Sequence, residues 1–215
     1  MEIAIAVYEK FTALDCVGPY DVLSRLPGAQ VRWLASEPGP VRADAGLVIH
    51  AEAAFSEVPR PDLLLVPGGM RFPSHDEDPD LLRWIAEAHE HTTWTTSVCT
   101  GSLALAAAGI LEGVPATSHW AAIDALTQYG AVPTHDRVVI AGKIATAAGV
   151  SAGIDLALTL CERIAGRDVA EAIQLGIEYD PQPPFGSGNA DVVSDELKQR
   201  ALEALLTSQE RAADG

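Results

Sequence analysis

Apolar residues recur along this chain with two alternating periods. Aliphatic and β-branched runs fall near positions 3–7, 31–34, 63–66, 92–98 and 114–117, with a further pair at 138–140 and 143–146. Runs of this composition, bounded by Gly, Pro and Asp, read as strands. Between them the apolar positions follow a helical spacing near 18–25, 79–90, 102–108, 121–129, 152–164 and 168–177, and a mixed stretch at 194–211 predicts a further surface helix. Strands alternating with helices predict an α/β fold, a doubly wound, mainly parallel sheet flanked by helices. Leu63-Leu64-Leu65-Val66 is continuously apolar, as a strand covered on both faces must be. The stretch Val138-Val139-Ile140-Ala141-Gly142-Lys143-Ile144 predicts a hairpin with Ala-Gly at its turn.

Of the 215 residues, 48% are hydrophobic and no long polar tract interrupts them. One domain over residues 1–190 is expected, with 191–215 as a helical tail packed on it or extending from it. A Pro- and Gly-rich connector, 180–188, leads into that tail. The net charge of −16 and the scattered 14 basic residues oppose a nucleic-acid partner, since counterion release needs clustered Lys and Arg. No apolar run approaches the ~20 residues that span a bilayer, so no membrane partner is expected. The N-terminus has no basic leader region and reads as the first strand of a mature cytoplasmic protein. Cys16, Cys99 and Cys161 form neither a CxxC pair nor an even-numbered disulfide framework.

In an open α/β sheet, chemistry gathers at the carboxyl ends of the strands. Three loops there carry unusual residues: Leu14-Asp15-Cys16-Val17-Gly18-Pro19-Tyr20, Pro67-Gly68-Gly69-Met70 and Ser97-Val98-Cys99-Thr100-Gly101-Ser102. The last puts a thiol where a strand turns into a helix, beside unpaired N–H groups and the positive end of a helix dipole. That setting lowers a thiol pKa, although most free cysteines are buried small hydrophobes. Asp15 precedes a helix with Pro19 in its first turn, so its plain role is an N-cap or loop carboxylate. Beside a thiol and partly desolvated, it would instead carry protons. The amides of Gly68 and Gly69 serve either a tight turn or one half of an oxyanion site, with the Thr100 amide as the other half. The Thr100 hydroxyl caps the new helix or donates to a reacting group. His119 ends another strand, either facing the same pocket or serving as a satisfied histidine at a helix start. Cys16 and Cys161 read as inert. His75, His89 and His91 read as solvated, and no metal site is expected.

These residues together resemble the ThiJ/PfpI superfamily, whose fold is related to class I glutamine amidotransferases, and within it the isocyanide hydratases. The resemblance rests on Leu14-Asp15-x-x-Gly18-Pro19-Tyr20, Val66-Pro67-Gly68-Gly69, Ser97-Val98-Cys99-Thr100-Gly101-Ser102, Ala116-Thr117-Ser118-His119-Trp120, Gly149-Val150-Ser151-Ala152-Gly153-Ile154-Asp155 and Glu178-Tyr179-Asp180-Pro181-Gln182-Pro183-Pro184-Phe185. It implies a flavodoxin-like domain with a nucleophile elbow. It also implies Cys99 as nucleophile, Asp15 as general acid/base and Thr100 as hydroxyl support, with Gly69, Met70, Val150 and His119 at the substrate or oxyanion. The implied reaction is cofactor-independent, metal-free hydration of a small-molecule isocyanide to a formamide, in a homodimer. Asp in the first loop and Thr after the cysteine fit this pattern and weaken a peptidase reading. Ala147-Ala148 stand where the hydratase pattern is glycine-rich, so that they reshape the pocket or stiffen the helix start. Two other readings stay open: a non-enzymatic ligand sensor, because several motifs resemble AraC-type regulators, and a glyoxalase- or deglycase-like enzyme.

Overall fold

The computed structural model describes the whole chain except residues 70, 72, 74–76, 214 and 215, with residues 206 and 208–213 described by their backbone. In chain order the elements are β1 (Glu2–Ala6), α1 (Ala13–Leu23), β2 (Gln30–Ala35), β3 (Gly39–Arg42), β4 (Val48–Ala51), β5 (Ala53–Ala54), β6 (Leu63–Val66), α2 (Pro79–His89), β7 (Trp94–Val98), α3 (Gly101–Ala107), β8 (Pro115–Ala116), β9 (Val132–Pro133), β10 (Val138–Ala141), β11 (Ile144–Ala147), α4 (Ala152–Ala165), α5 (Arg167–Gly176) and α6 (Asp195–Ala213). A seven-stranded sheet runs β10-β11-β7-β6-β1-β2-β5. Every pairing in it is parallel except β10 with β11, the expected hairpin.

The sheet is the doubly wound architecture anticipated from the alternating pattern. All four residues of β6 are buried, as their unbroken hydrophobicity requires. Ile3, Ile5, Leu63 and Leu65 of the strands and Leu103, Leu105, Leu156 and Leu160 of the helices belong to the buried core. The chain leaves β1 toward β2 and β5, then returns to β6 on the other side, so strand order reverses beside β1. Loops following β1, β6 and β7 meet over that reversal, where a crevice forms in such sheets.

Several elements depart from expectation. Helix α1 starts at Ala13, five positions before the anticipated start at Gly18, and Pro19 lies inside it. The proline ring packs on α4. A Cβ at Gly153 would lie 2.9 Å from Pro19 Cγ and 3.0 Å from Val98 Cγ2, so a glycine there is what lets α1, α4 and β7 close together. The anticipated helix 121–129 is a 3-10 helix over Ile123–Tyr129. The strand expected at 114–117 shrinks to β8, which pairs with β9 outside the main sheet. The antiparallel β3–β4 hairpin was not anticipated, because Gly39 and Pro40 break the pattern and most of its residues are not buried. No helix of the described residues is long and apolar enough to cross a membrane.

Candidate active site

At the end of β7 the backbone reverses into α3 through Cys99, whose φ is +59°. A left-handed conformation costs an L-residue on the order of 1–2 kcal/mol, and the surrounding bonds over-determine it. The Cys99 N–H donates to the carbonyls of Ala147 (3.0 Å) and Ala148 (2.9 Å). Its own carbonyl accepts the hydroxyls of Ser118 (3.1 Å) and Ser102 (3.2 Å). The thiol is almost enclosed, with the residue 6% exposed. The N–H groups of Val150 and Thr100 are aimed at the sulfur. Val150 is held at φ +30°, a strained value for a β-branched residue.

Asp15 stands in the first turn of α1, fully buried. The Gly68 N–H donates to its Oδ2 at 2.8 Å, while Oδ1 finds no partner among the described residues. Burial pushes this carboxyl up to about 7, with the negative charge of Asp44 adding to the effect; the Gly68 amide and the Cys99 thiol act in the opposite direction. The thiol and carboxyl are neighbours that perturb each other, in a close approach rather than a well-aligned hydrogen bond. Burial, followed by the Asp15 charge, holds the thiol well above its ordinary range despite the two amides. The thiol lowering expected from a helix N-terminus is therefore reversed. Helix α3 has only seven residues, and desolvation outweighs its weak field. The resting pair is a protonated thiol beside a carboxyl poised to gain or lose a proton near neutrality.

The loop after β6 is locked against both residues. The Tyr8 hydroxyl donates to the Pro67 carbonyl at 2.9 Å, and the Thr12 N–H donates to the Gly68 carbonyl at 2.7 Å. Thr100 Oγ1 accepts the Gly69 N–H (2.9 Å) and donates to the Gly69 carbonyl (2.7 Å). A Cβ on Gly68 would fall 2.5 Å from Thr100 N and 2.9 Å from Asp15 Oδ2, so only glycine permits this approach. The amides of Gly68 and Gly69 are thus both occupied, by Asp15 and Thr100. The oxyanion role expected of them finds no free donor, and the amides facing the sulfur belong to Thr100 and Val150. The Thr100 hydroxyl is bound up in the clasp with Gly69 rather than capping α3. Met70, the fourth residue of that loop motif, lies outside the described residues.

His119 accepts the Ala121 N–H on Nδ1 at 3.3 Å, and its ring packs over Gly149, where a Cβ would come within 2.8 Å of Cδ2. Among the described residues no hydrogen bond joins it to Cys99. The ring serves a turn and also borders a cleft beside the elbow. Cys16 and Cys161 are buried, and burial raises both thiols, Cys161 to about 11. His89, expected in solvent, is half-buried and bonded through Nδ1 to Thr95 Oγ1 at 2.8 Å. His91 is exposed, and His75 lies outside the described residues. Among the described residues no group of three His, Cys, Asp or Glu side chains is placed to hold a metal. Tyr8, Ser102 and Ser118, which buttress the elbow and the loop after β6, were not among the candidates expected from the sequence, because their partners are backbone carbonyls that residue type does not reveal.

The chain is 42% identical over 209 residues to an isonitrile hydratase of Pseudomonas putida, covering 95% of this chain and 92% of that one, and is its homologue. It is 34% identical over 161 residues to the HTH-type transcriptional regulator CdhR of Pseudomonas aeruginosa, covering 73% of this chain but 48% of the regulator. The crystal structure of a ThiJ/PfpI family protein from Pseudomonas syringae superposes with a TM-score of 0.87 at 36% identity, over 98% of this chain and 88% of that one. Residues 1–163, which hold the whole of the main sheet, the elbow and the buried carboxyl, match the DJ-1/PfpI family, and the chain belongs to that family.

Proposed function

We propose that this protein hydrates an isocyanide, R–N≡C, to the N-substituted formamide, with Cys99 as nucleophile and Asp15 as proton carrier. The observation that carries this reading is the shared burial of the Cys99 thiol and the Asp15 carboxyl, whose Oδ1 has no partner among the described residues. Isonitrile is another name for the isocyanide group, and the homologue acting on it matches nearly the whole chain.

The terminal carbon of an isocyanide has no carbonyl oxygen to polarise, so it needs a soft nucleophile together with a proton delivered to carbon. Asp15 takes the thiol proton, the sulfur bonds the terminal carbon, and the proton passes from Asp15 to that carbon. The product is a thioimidate, R–N=CH–S–Cys99. Water then adds to the same carbon, with one of its protons moving through Asp15 to nitrogen. The carbon–sulfur bond breaks as the hydroxyl becomes the formyl C=O, and the hydroxyl proton returns to the thiolate through Asp15. One isocyanide and one water give one formamide. The unpartnered Oδ1 is the oxygen available for these transfers. Thr100 acts by fixing Gly69, and the Val150 and Thr100 amides steady the sulfur as its charge changes.

The working unit in this proposal is a homodimer, supported by the apolar Leu14 and Val17 on α1, which are 45% and 36% exposed. Residues 191–215 are an appendage of the one domain, supported by Leu197 and Ala201 lying beside Trp120. A second reading, ligand sensing without turnover, is favoured by the similarity to the CdhR regulator. Incubation with cyclohexyl isocyanide decides between them. Wild type is expected to form N-cyclohexylformamide and Cys99→Ala to lose at least about 10³-fold in rate. Absence of product from wild type, or full turnover by Cys99→Ala, rules the hydratase out.

A further inference from the structure

A cleft of about 380 Å³ opens next to the elbow, within the ~300–1,000 Å³ range of small-molecule sites. Its inner wall is Ser118 and Val150, and both already touch the nucleophile's residue. Ser118 Oγ donates to the Cys99 carbonyl, and the Val150 N–H is aimed at the sulfur. Neither Cys99 nor Asp15 lines the cleft itself. Its middle is formed by Ile123 and the rings of His119 and Trp120, whose centroids are 5.4 Å apart. Its outer wall is residues 188–191. That wall lies beyond residue 163, where the match to the DJ-1/PfpI family ends.

We propose that this cleft holds the N-substituent of the substrate, an uncharged aryl or branched alkyl group. The C-terminal segment at Gly188 then sets which substituents fit. This rests on the hydratase reading and adds to it the class of isocyanide. The isocyanide group is a thin linear rod, and in this proposal its terminal carbon passes Val150 to the sulfur while a bulky substituent stays in the cleft. Trp120 and Ile123 provide apolar and stacking surface for that substituent. Arg137, at the rim, is already paired with Asp155 at 2.6 Å and offers no unmatched positive charge for an anionic group. Asp191, also at the rim, repels one. The family-wide part of the chain thus carries the reacting groups, and the later segment carries selectivity.

Gly188 provides the test, because it lines the cleft and a Cβ there meets nothing within 4 Å. The readout is the ratio of kcat/KM for 2-naphthyl isocyanide to that for methyl isocyanide, in wild type and in Gly188→Leu. The ratio is expected to fall at least 10-fold in the variant, chiefly through KM for the naphthyl substrate. Independently, N-(2-naphthyl)formamide is expected to quench the tryptophan fluorescence of wild type, and the quench is expected to disappear in Trp120→Phe. A purely structural effect moves both substrates together and leaves the ratio unchanged, which overturns the proposal, as does an identical quench in Trp120→Phe. Methyl isocyanide turnover without size discrimination defeats the cleft alone. No turnover of either substrate by wild type defeats the hydratase reading and the cleft with it.

Discussion

Among the described residues the Asp15 carboxylate accepts one hydrogen bond, from the Gly68 amide, and it has no surface in contact with solvent. Its ordinary pKa of 3.8 is raised to about 7 in the fold. The folded protein therefore holds a proton that the unfolded chain has already lost, and stability falls as pH climbs between those two values and is level above them. Over that window the effect amounts to at most about 4 kcal/mol. Asp15→Asn is expected to be more stable than wild type at pH 8 and equal to it near pH 4, read from urea unfolding at each pH. Equal stability at both would mean that the carboxyl is not buried as described. The same variant is expected to lose at least about 100-fold in isocyanide turnover. In wild type, kcat/KM should rise toward a plateau as pH passes about 7, because only the ionised carboxyl can take the thiol proton. Asp15 and Cys99 were both legible as candidates from residue type and loop position. The protonation state of the pair was not, because a helix dipole can be guessed from sequence and the depth of burial cannot.

The elements meet at Thr100, the residue between the elbow and α3, which fastens the loop after β6 through both backbone groups of Gly69. Thr100→Val would leave a buried N–H and a buried carbonyl unpaired, at about 2–4 kcal/mol. Thr100→Ser keeps the hydroxyl and is expected to stay within about 1 kcal/mol of wild type. Thermal unfolding of the two variants checks this, and equal losses would show that the methyl group rather than the hydroxyl matters. Strands β6, β10 and β11 were readable to within a residue or so, since unbroken hydrophobicity and the Ala-Gly turn are local signals. Helix α1 was misplaced because Pro19 looks like a helix start. In the fold the helix runs through it, with the proline ring against Gly153 of the neighbouring α4, a contact between segments far apart in the chain.

Across the whole molecule, the reversal of strand order beside β1 gathers three loops that are distant in sequence. Helix α1, which buries Asp15, presents Leu14 and Val17 to solvent. Sedimentation is expected to show a dimer for wild type and a shift toward monomer for Val17→Arg, whereas a wild-type monomer at micromolar concentration would contradict the proposed assembly. The alternation of strand and helix, the unbroken run of β6, the thiol at a strand-to-helix turn and the glycines of the following loops were determined by the sequence alone, because each depends on neighbours a few residues apart. The pairing of Thr100 with Gly69, the proton balance between Cys99 and Asp15 and the cleft closed by residues 188–191 were decided only by tertiary structure. Each depends on desolvation or close approach between segments far apart along the chain, and these exist only once the sheet has brought those segments together.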